Sequence, residues 1–279
     1  MKKISIVFKI YEVTKIKNKT ILITGGASGI GEVMSRLSLA RKAKVIIWDI
    51  NTDNIESTLK ELSPLGSISA DVVDVSKIEA IEEAAQQLIK EHGNIDILIN
   101  NAGIVVGKYF HKHSAKEIEK TLSINSSAPM HICNQFLGIM IKNNAGHICN
   151  IASSASLVSN PKMSVYAASK WAIFAWSDSL RLEMKQLQKN IQVTTILPYY
   201  INTGMFDGVQ SRIPILDAEA AALSIIKAIE KNKQIITIPG WIYRFTRFGQ
   251  AFMSVDVFDW FAGSIMGIYK TMDDFNGRK

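Results

Sequence analysis

The sequence predicts an α/β fold in which a doubly wound parallel sheet of about seven strands carries helices on both faces. Short apolar runs rich in β-branched residues alternate with longer amphipathic stretches such as 76–92, where apolar side chains recur at helical spacing. The runs are apolar on both faces, as strands buried inside a parallel sheet must be. They cover residues 20–24, 44–48, 66–70, 95–99, 147–151, 191–197 and 235–238. A glycine-rich turn directly after the first run completes the pattern of a Rossmann-type sheet, in which that turn marks the nucleotide site.

Composition favours one globular domain with a helical extension. Of the 279 residues, 47% are hydrophobic and 20% are charged, which is enough apolar material for a sizeable core. Because no repeat, low-complexity stretch or linker divides the chain, we expect a basic lead-in over 1–18, a nucleotide-binding domain over 19–240 and an aromatic-rich extension of that domain over 241–279. Cys133 and Cys149 show no metal-ligand spacing, which predicts no metal site and a reducing, cytoplasmic location.

Positive charge is concentrated at the N-terminus. The formal net charge is +7, and residues 1–20 contain six lysines against the single acid Glu12. Apolar side chains between these lysines would let the segment lie on an anionic membrane surface, and a solvated lead-in to the first strand is the alternative. The remaining chain is nearly neutral and has no basic stripe, which argues against a nucleic acid as partner. No window approaches the ~18 uninterrupted apolar residues of a transmembrane helix.

The turn after the first strand has the composition of a phosphate-binding loop. Glycines let backbone N–H groups approach a pyrophosphate, and the N-terminus of the following helix contributes partial positive charge. A Gly-x-x-x-Gly-x-Gly string is common by itself, and its position between a strand and a helix makes it informative. The residues expected to contact a dinucleotide here are Thr24, Gly25, Ser28, Gly29, Ile30 and Gly31.

Acidic residues after the next two strands bear on the choice of cofactor. Asp49 could accept hydrogen bonds from the adenosine ribose and would repel a 2′-phosphate, and no Arg or Lys follows at once, which favours NAD over NADP. The alternative is that Asp49 caps the helix that begins after residue 51. Asp71, just past the third run, could bond the adenine amino group, although a plain loop acid is nearly as well supported. We count Asp71 and Val72 as cofactor contacts.

The fourth strand ends in Asn100, followed by Asn101, Ala102 and Gly103. Ligands bind at the carboxyl edge of open α/β sheets, so we expect these last three residues to border the cofactor. The same string is also ordinary turn chemistry.

Tyr166 and Lys170 are the strongest catalytic candidates. If residues 164–189 are helical, the two side chains stand four apart on one face and can reach the same ligand. A phenol with a pKa of about 10 is a poor base, and a nearby ammonium with the positive charge of an oxidised nicotinamide would lower that pKa. Such pairs also arise by chance on surface helices.

Two further polar residues strengthen this assignment. Ser153 lies thirteen residues before Tyr166, where its hydroxyl could hold the substrate oxygen beside the phenol. The neighbouring Ser154 competes for that role. Asn125 stands in an otherwise apolar stretch of the helix that starts near Ser114, where it could kink the helix or hold a water that passes protons to Lys170.

In order and spacing, these motifs together resemble the short-chain dehydrogenase/reductase family over roughly residues 18–240. The motifs are Thr24 to Gly31, Asn100 to Gly103, Asn125, Ser153 and Tyr166-x-x-x-Lys170. The resemblance implies that Tyr166 is the general acid/base, that Lys170 binds the nicotinamide ribose and tunes Tyr166, that Ser153 orients the substrate oxygen and that Asn125 holds the relay water. After the sixth strand it implies cofactor contacts from Pro198, Ile201 and Thr203, with Tyr199 in place of the family's usual Gly.

A narrower resemblance connects the chain to the branch that holds epidermal-type retinol dehydrogenases and lipid-droplet 17β-hydroxysteroid dehydrogenases. It depends on three stretches: Trp48 to Asn51, Asn202 to Phe206, and Met272 to Phe275. The resemblance implies a lipophilic alcohol as substrate, and it implies an N-terminal membrane anchor, in whose place this chain has the short basic lead-in.

The C-terminal half carries the substrate predictions. We expect an apolar lid over 199–217, which suits an apolar substrate. The aromatic segment 240–269 includes Arg244 and Arg247, which suits an interfacial surface; a core-packing or dimer-packing extension is the alternative. Trp171, Phe174 and Trp176 give helix 164–189 more apolar surface than one sheet face needs, which predicts a homodimer or homotetramer.

The predicted function is therefore NAD-dependent oxidation of a lipophilic alcohol, or reduction of its carbonyl. The same chemistry on a small polyol or a 3-oxoacyl thioester is the first alternative. A nucleotide-binding regulator without catalysis is the second, and the intact Ser153, Tyr166 and Lys170 argue against it.

Overall fold

A computed structural model of the chain describes residues 13–277. It confirms the predicted fold, because seven parallel strands form one sheet in the order β3-β2-β1-β4-β5-β6-β7. The strands are Thr20–Thr24 (β1), Lys44–Asp49 (β2), Ile68–Val72 (β3), Ile97–Asn100 (β4), Gly146–Ile151 (β5), Ile191–Pro198 (β6) and Ile235–Ile238 (β7). The chain direction across the sheet reverses between β1 and β4, and in such folds the ligand crevice lies at the carboxyl ends of the strands at that point.

The helices cover both faces of the sheet. They are Gly29–Ala40 (α1), Thr52–Leu62 (α2), Ile78–His92 (α3), Ala115–Leu122 (α4), Ala128–Asn143 (α5), Ser164–Gln186 (α6), Ala218–Glu230 (α7), Trp241–Phe252 (α8) and Val255–Trp260 (α9). Alternate residues of β1 serve the two faces: Ile21 and Ile23 pack in one core cluster with α1 and α7, while Leu22 packs in the other with α3 and α5. This alternation places two apolar layers on one sheet. Among the described residues, no helix is both long and apolar enough to cross a membrane.

The third strand corrects one sequence expectation. The predicted run 66–70 is shifted to 68–72, because residues 63–65 form a short 3-10 turn before it. Asp71 therefore lies inside β3, not past it, and Val72 aligns with Asp49 of β2. The carboxyl ends of β2 and β3 consequently lie side by side.

The basic lead-in falls mostly outside the described residues, since the description begins at Val13. Its last part packs on the sheet: Ile16 is buried in the core, and the Thr14 backbone N–H donates to the Glu230 carbonyl at 3.0 Å. The Thr14 hydroxyl also bonds His147 of β5 at 3.2 Å. Residues 14–16 thus belong to the folded body, although the sequence analysis placed them in the lead-in.

The helix predicted to start near Ser114 does so, with Ser114 and Glu117 forming a reciprocal capping box. It then widens into a π-helical turn over 123–127 before α5. Asn125 stands inside this turn, so the regular helix is interrupted at its position. Turns of this kind break the regular helical hydrogen-bond ladder and often mark functional sites.

The C-terminal extension is helical, as predicted, and packs beside the lid. α8 and α9 are followed by a π-helical turn over 261–265, and Ile242 and Met272 share a buried cluster with the lid residue Tyr200. Phe174 of α6 lies in the same cluster, with the Arg247 guanidinium 5.9 Å from its ring centre. The apolar surface of Phe174 is thus covered within the chain. The oligomer prediction therefore depends on Trp171 and Trp176, which are half-buried.

Candidate active site

The glycine-rich turn between β1 and α1 has the shape of a cradle. Gly25 and Gly29 have φ values of +62° and +56°, a conformation that glycine adopts without strain. A Cβ added to Gly31 would lie 2.0 Å from the Gly25 carbonyl oxygen, so the first turn of α1 packs against the loop without room for a side chain. Gly25, Ser28, Gly29 and Ile30 line the main cavity, whereas Gly31 lies behind them.

Thr24 and Asn101 connect this cradle to the end of β4. The Thr24 hydroxyl accepts hydrogen bonds from the backbone N–H groups of Asn101 and Ala102, at 3.0 and 3.1 Å. The Asn101 amide nitrogen donates to the carbonyls of Thr24 and Gly25, both at 3.0 Å. Asn101, Ala102 and Gly103 line the cavity, and Thr24 supports them from below. These bonds explain why the Asn-rich string is more than an ordinary turn.

Asp49 ends β2 against the cradle. One carboxylate oxygen accepts the Ala27 N–H at 3.1 Å and the other accepts the Asn51 N–H at 3.1 Å. The cap of α2 is Asn51, whose side chain accepts from Asn54, so the alternative interpretation of Asp49 as the helix cap is wrong. Asp71 is half-buried at the neighbouring strand end, and burial raises the pKa of its carboxyl, whereas the Val72 side chain is exposed. None of these three side chains lines the cavity itself.

The catalytic candidates meet on the opposite side of the crevice. Tyr166, Lys170 and Ser153 are each at least nine-tenths buried and all line the cavity. The Lys170 amine donates to the Ile151 carbonyl at 2.9 Å and lies 5.8 Å from the centre of the Tyr166 ring. Ser154 lines the same cavity, but it is Ser153 whose side chain is hydrogen-bonded to the Tyr166 phenol. The sequence prediction therefore holds for which residues come together.

Burial controls the proton affinities of this group. It raises the pKa of the Tyr166 phenol to about 12, while the hydrogen bond with Ser153 acts in the opposite direction. It also lowers the pKa of the Lys170 ammonium to about 8. A lowered tyrosine pKa was expected from the ammonium together with an oxidised nicotinamide; with the protein groups alone the pKa is raised, because burial removes water from the phenolate. A lowering in the presence of the cofactor stays a prediction.

Asn125 lies behind the catalytic pair and not in the cavity lining. Its side-chain oxygen accepts the Ile104 N–H at 2.9 Å, and its amide nitrogen donates to the Ile104 carbonyl at 2.9 Å and to the Ser169 hydroxyl at 3.0 Å. A Cβ added to Gly103 would lie 3.3 Å from the Asn125 oxygen and 3.5 Å from the Lys170 amine. The side chain thus ties the π-helical turn to the end of β4 and to α6. A water relay through this region stays a prediction.

The lid lies over the phenol. Pro198, Ile201 and Thr203 line the cavity at its base, as predicted. Tyr199, which replaces the usual glycine, is buried, and its hydroxyl is 2.8 Å from that of Ser211 within the lid. Phe206 stands edge-on to Tyr166, with ring centres 6.0 Å apart and planes at 84°.

The far wall of the cavity comes from the C-terminal extension, whose aromatic segment was expected as an interfacial surface for substrate entry and not as part of the cavity lining. Apart from the buried Thr246, the side chains on this wall are apolar or aromatic: Trp241, Ile242, Phe245, Phe258, Phe261, Ala262, Met266 and Ile268. Asn160 and Met163, from the loop before α6, complete the lining and were also missed. Trp241 and Phe245 are four residues apart, which predicts that they share one face of a helix. That spacing does not predict which part of the protein the face packs against.

The chain is similar in sequence and in fold to known proteins. The sequence profile described as short chain dehydrogenase matches residues 19–213. Epidermal retinol dehydrogenase 2 of Homo sapiens is 35% identical over 272 residues, which is 95% of this chain and 87% of that protein. Estradiol 17-beta-dehydrogenase 11 of Homo sapiens is 33% identical over 230 residues, 81% of this chain and 77% of that protein. The crystal structure of a short chain dehydrogenase/reductase from Burkholderia phymatum in complex with NAD has the same fold, with a TM-score of 0.78 and 23% identity over 85% of this chain and 95% of that one.

Proposed function

Because the chain belongs to the short-chain dehydrogenase family, in the branch of the epidermal retinol and 17-beta-hydroxysteroid dehydrogenases, we propose that it interconverts a lipophilic alcohol and its aldehyde or ketone with NAD. One observation carries the proposal. Tyr166, Lys170 and Ser153 meet where a side-chain-free glycine cradle adjoins a wall of apolar and aromatic side chains. A polar reaction centre is thus enclosed between a nucleotide-shaped site and a site that excludes water.

The cradle fits a dinucleotide. The turn at Gly25 and Gly29 leaves no Cβ in the path of a phosphate, and the first turn of the twelve-residue helix α1 points its N–H groups there. The Asp49 carboxylate adjoins the turn, which supports NAD because a 2′-phosphate would meet a like charge. When bound, the nicotinamide would accept or donate the hydride.

The protein's own residues would handle the proton. As the phenolate, Tyr166 would take the hydroxyl proton of an alcohol at its Oη atom; in the reverse direction the neutral phenol would give that proton to the carbonyl oxygen as the hydride arrives. Ser153, hydrogen-bonded to that phenol, would hold the substrate oxygen beside it. Lys170, fixed by the Ile151 carbonyl, would supply positive charge that stabilises the phenolate.

An apolar wall supports a lipophilic substrate. The residues facing the phenol from the lid and from the extension include Phe206, Phe261 and Met266. The two relatives are named for retinol and estradiol, which are apolar alcohols of this kind. The test is an assay of NADH absorbance and fluorescence over retinoid, steroid, straight-chain, polyol and 3-oxoacyl thioester substrates. Turnover confined to the last two classes would contradict the substrate proposal and leave the oxidoreductase chemistry intact.

A membrane surface is the proposed source of such a substrate. α8 and α9 present large apolar side chains to solvent, with Phe252 and Val255 about three-quarters exposed and Phe248 and Trp260 more than half. The exposed stripe is continuous with the cavity, since Trp241 lines the cavity while 46% of its own surface remains exposed. Contiguous apolar patches that stay exposed on a protein surface often mark interaction sites.

Liposome co-sedimentation tests this surface in the full-length chain. We expect Phe248→Ser with Phe252→Ser to weaken binding to anionic vesicles, and substitution of Lys2, Lys3 and Lys9 by Gln to remove the salt-sensitive part of it. Phe110→Ser, another exposed phenylalanine, is the matched control. If the unaltered chain stays in the supernatant with anionic vesicles at low salt, the membrane proposal is wrong and the enzymatic proposal is unaffected.

A further inference from the structure

The last described residues, 271–277, form a tail segment that runs back across the lid. At its start, the buried Thr271 hydroxyl lies 2.9 Å from the hydroxyl of the lid residue Tyr200. The Thr271 backbone carbonyl accepts the Gln210 N–H at 3.3 Å. At its end, the Asn276 N–H donates to the Asp207 carbonyl at 2.9 Å. The tail segment is therefore attached to the lid on both sides of its turn.

Two glycines leave room for this contact. Gly208, in the lid, has a φ of +83°, and a Cβ on it would lie 2.0 Å from the Asp274 carbonyl oxygen. A Cβ on Gly107, in the loop after β4, would lie 2.3 Å from the Phe275 ring and 2.7 Å from the Met272 methyl. A side chain at either glycine would displace the tail segment, because such separations are far inside van der Waals contact.

A lysine connects the tail segment to the catalytic helix. Lys162 lies two residues before α6, and its amine donates to the Met272 carbonyl at 3.2 Å and to the Asp273 carboxylate at 3.0 Å. The tail segment thus contacts the lid, the loop after β4 and the approach to α6, the helix that carries Tyr166.

Phe275 completes a row of aromatic rings that leads to the phenol. Its ring centre lies 6.5 Å from that of Phe206, which in turn packs 5.0 Å from Tyr200 and stands edge-on to Tyr166. We infer that Phe275 is a positioning residue, which holds Phe206 against Tyr166 and so keeps the lid closed over the catalytic phenol. The inference rests on the proposed role of Tyr166. It assigns a part in the reaction to the tail segment, although that segment is far from Tyr166 along the chain.

The consequence is control of water at Tyr166. With Phe206 held in place, the phenol is buried, with only 5% of its surface exposed. Without Phe275 the lid loses one side of its packing, so solvent should reach the phenol more often. A tail segment that only stabilised the fold would lower the melting temperature without changing access to Tyr166 in the folded protein.

Nitration by tetranitromethane measures this access without any substrate. Cleavage after Lys162 and Lys170 releases peptide 163–170, in which Tyr166 is the only tyrosine, so mass spectrometry can follow that residue alone. For Phe275→Ala and Gly107→Ala we expect Tyr166 to be nitrated about three- to tenfold faster than in the unaltered chain, the factor that one aromatic contact corresponds to. Phe110→Ala and Gly138→Ala are the controls, since Phe110 is 63% exposed and a Cβ on Gly138 meets nothing within 4 Å.

Turnover gives the second measurement. Both tail variants should lower kcat on the preferred alcohol while leaving the Kd for NAD unchanged, because the glycine cradle lies at the other side of the crevice. Equal nitration rates in the unaltered chain and in both tail variants would overturn the inference, as would equal acceleration in the controls. Failure of the unaltered chain to oxidise any alcohol would overturn the proposed function instead, and the nitration result would still stand.

Discussion

The cofactor side and the substrate side of the cavity are built in different ways. The cofactor side consists of backbone: the turn at 24–31 and the end of β4, held together by bonds of Thr24 and Asn101. The substrate side consists of side chains from the lid and the C-terminal extension, segments that are distant along the chain. Backbone geometry depends on glycines at fixed positions, whereas an apolar wall tolerates exchange of one large side chain for another. The cofactor side can therefore be recognised as a sequence motif, whereas the substrate side cannot.

The boundary between the two sides is Tyr166, where the largest effect is expected. Tyr166→Phe should retain NAD binding and lose about 10²–10⁴-fold in kcat, the usual contribution of general acid–base catalysis. Fluorescence titration with NADH and steady-state turnover measure the two quantities separately. Near-normal kcat would show that the proton comes from another group.

On the cofactor side, Gly31→Ala should be severe because the new Cβ would lie 2.0 Å from the Gly25 carbonyl oxygen. We expect NAD affinity to fall by roughly ten- to a hundredfold, the range of an overpacked contact. Gly138→Ala, in the open helix position of α5, is the control. An unchanged Kd would mean that the turn is adaptable, and the comparison between the two sides would fail.

On the substrate side, the prediction is a graded effect. Phe261→Ala should raise KM for a large apolar alcohol by about tenfold and leave that for a short alcohol nearly unchanged, since a lost apolar contact costs binding only where the substrate reaches it. Phe261→Leu should restore most of the loss. If Phe261→Ala changed the Kd for NAD as much as KM, the two sides would not be separable.

Asp49 tests the sign of charge at the cradle. Asp49→Ala should weaken NAD and improve NADP, so that the ratio of their kcat/KM values falls by about tenfold, an effect of roughly 1.4 kcal/mol. Asp49→Asn is the companion variant, because it keeps the shape of the side chain without its charge. Equal kcat/KM for NAD and NADP in the unaltered protein would contradict the cofactor preference outright.

The smallest expected effect is a pH dependence from Lys170. Its pKa is lowered by burial to about 8, so its ammonium is present below that pH and is lost as the pH rises through it. Contributions of that charge to cofactor binding should therefore weaken by a few-fold between about pH 7 and 9. Titrating NAD against the unaltered protein and against Lys170→Met checks this, and the same pH dependence in both would assign it to another group.

Much of the fold followed from local pattern. Runs of residues apolar on both faces located all seven strands, and the largest displacements were two residues: β4 begins two residues late, and β3 is shifted by two, which moves Asp71 inside it. The ends of a short strand are set by the strand it pairs with more than by its own residues. For β3, the hydrogen bonds with β2 decide which positions pair. The same reason explains the packing at the end of the lead-in, where Ile16 is buried by elements far along the chain.

By itself, the sequence determined the order of strands and helices, the glycine cradle and the candidate catalytic group, because each of these depends on residues close together or at fixed spacing. Only the tertiary structure decided that α8 and α9 form the far wall of the cavity, that the ring of Phe275 lies beside that of Phe206, and that burial raises the pKa of Tyr166 to about 12. Contacts between distant segments and removal of water depend on how the whole chain closes on itself. No local pattern encodes them, since the same aromatic helix could have served a core, a dimer or a membrane equally well.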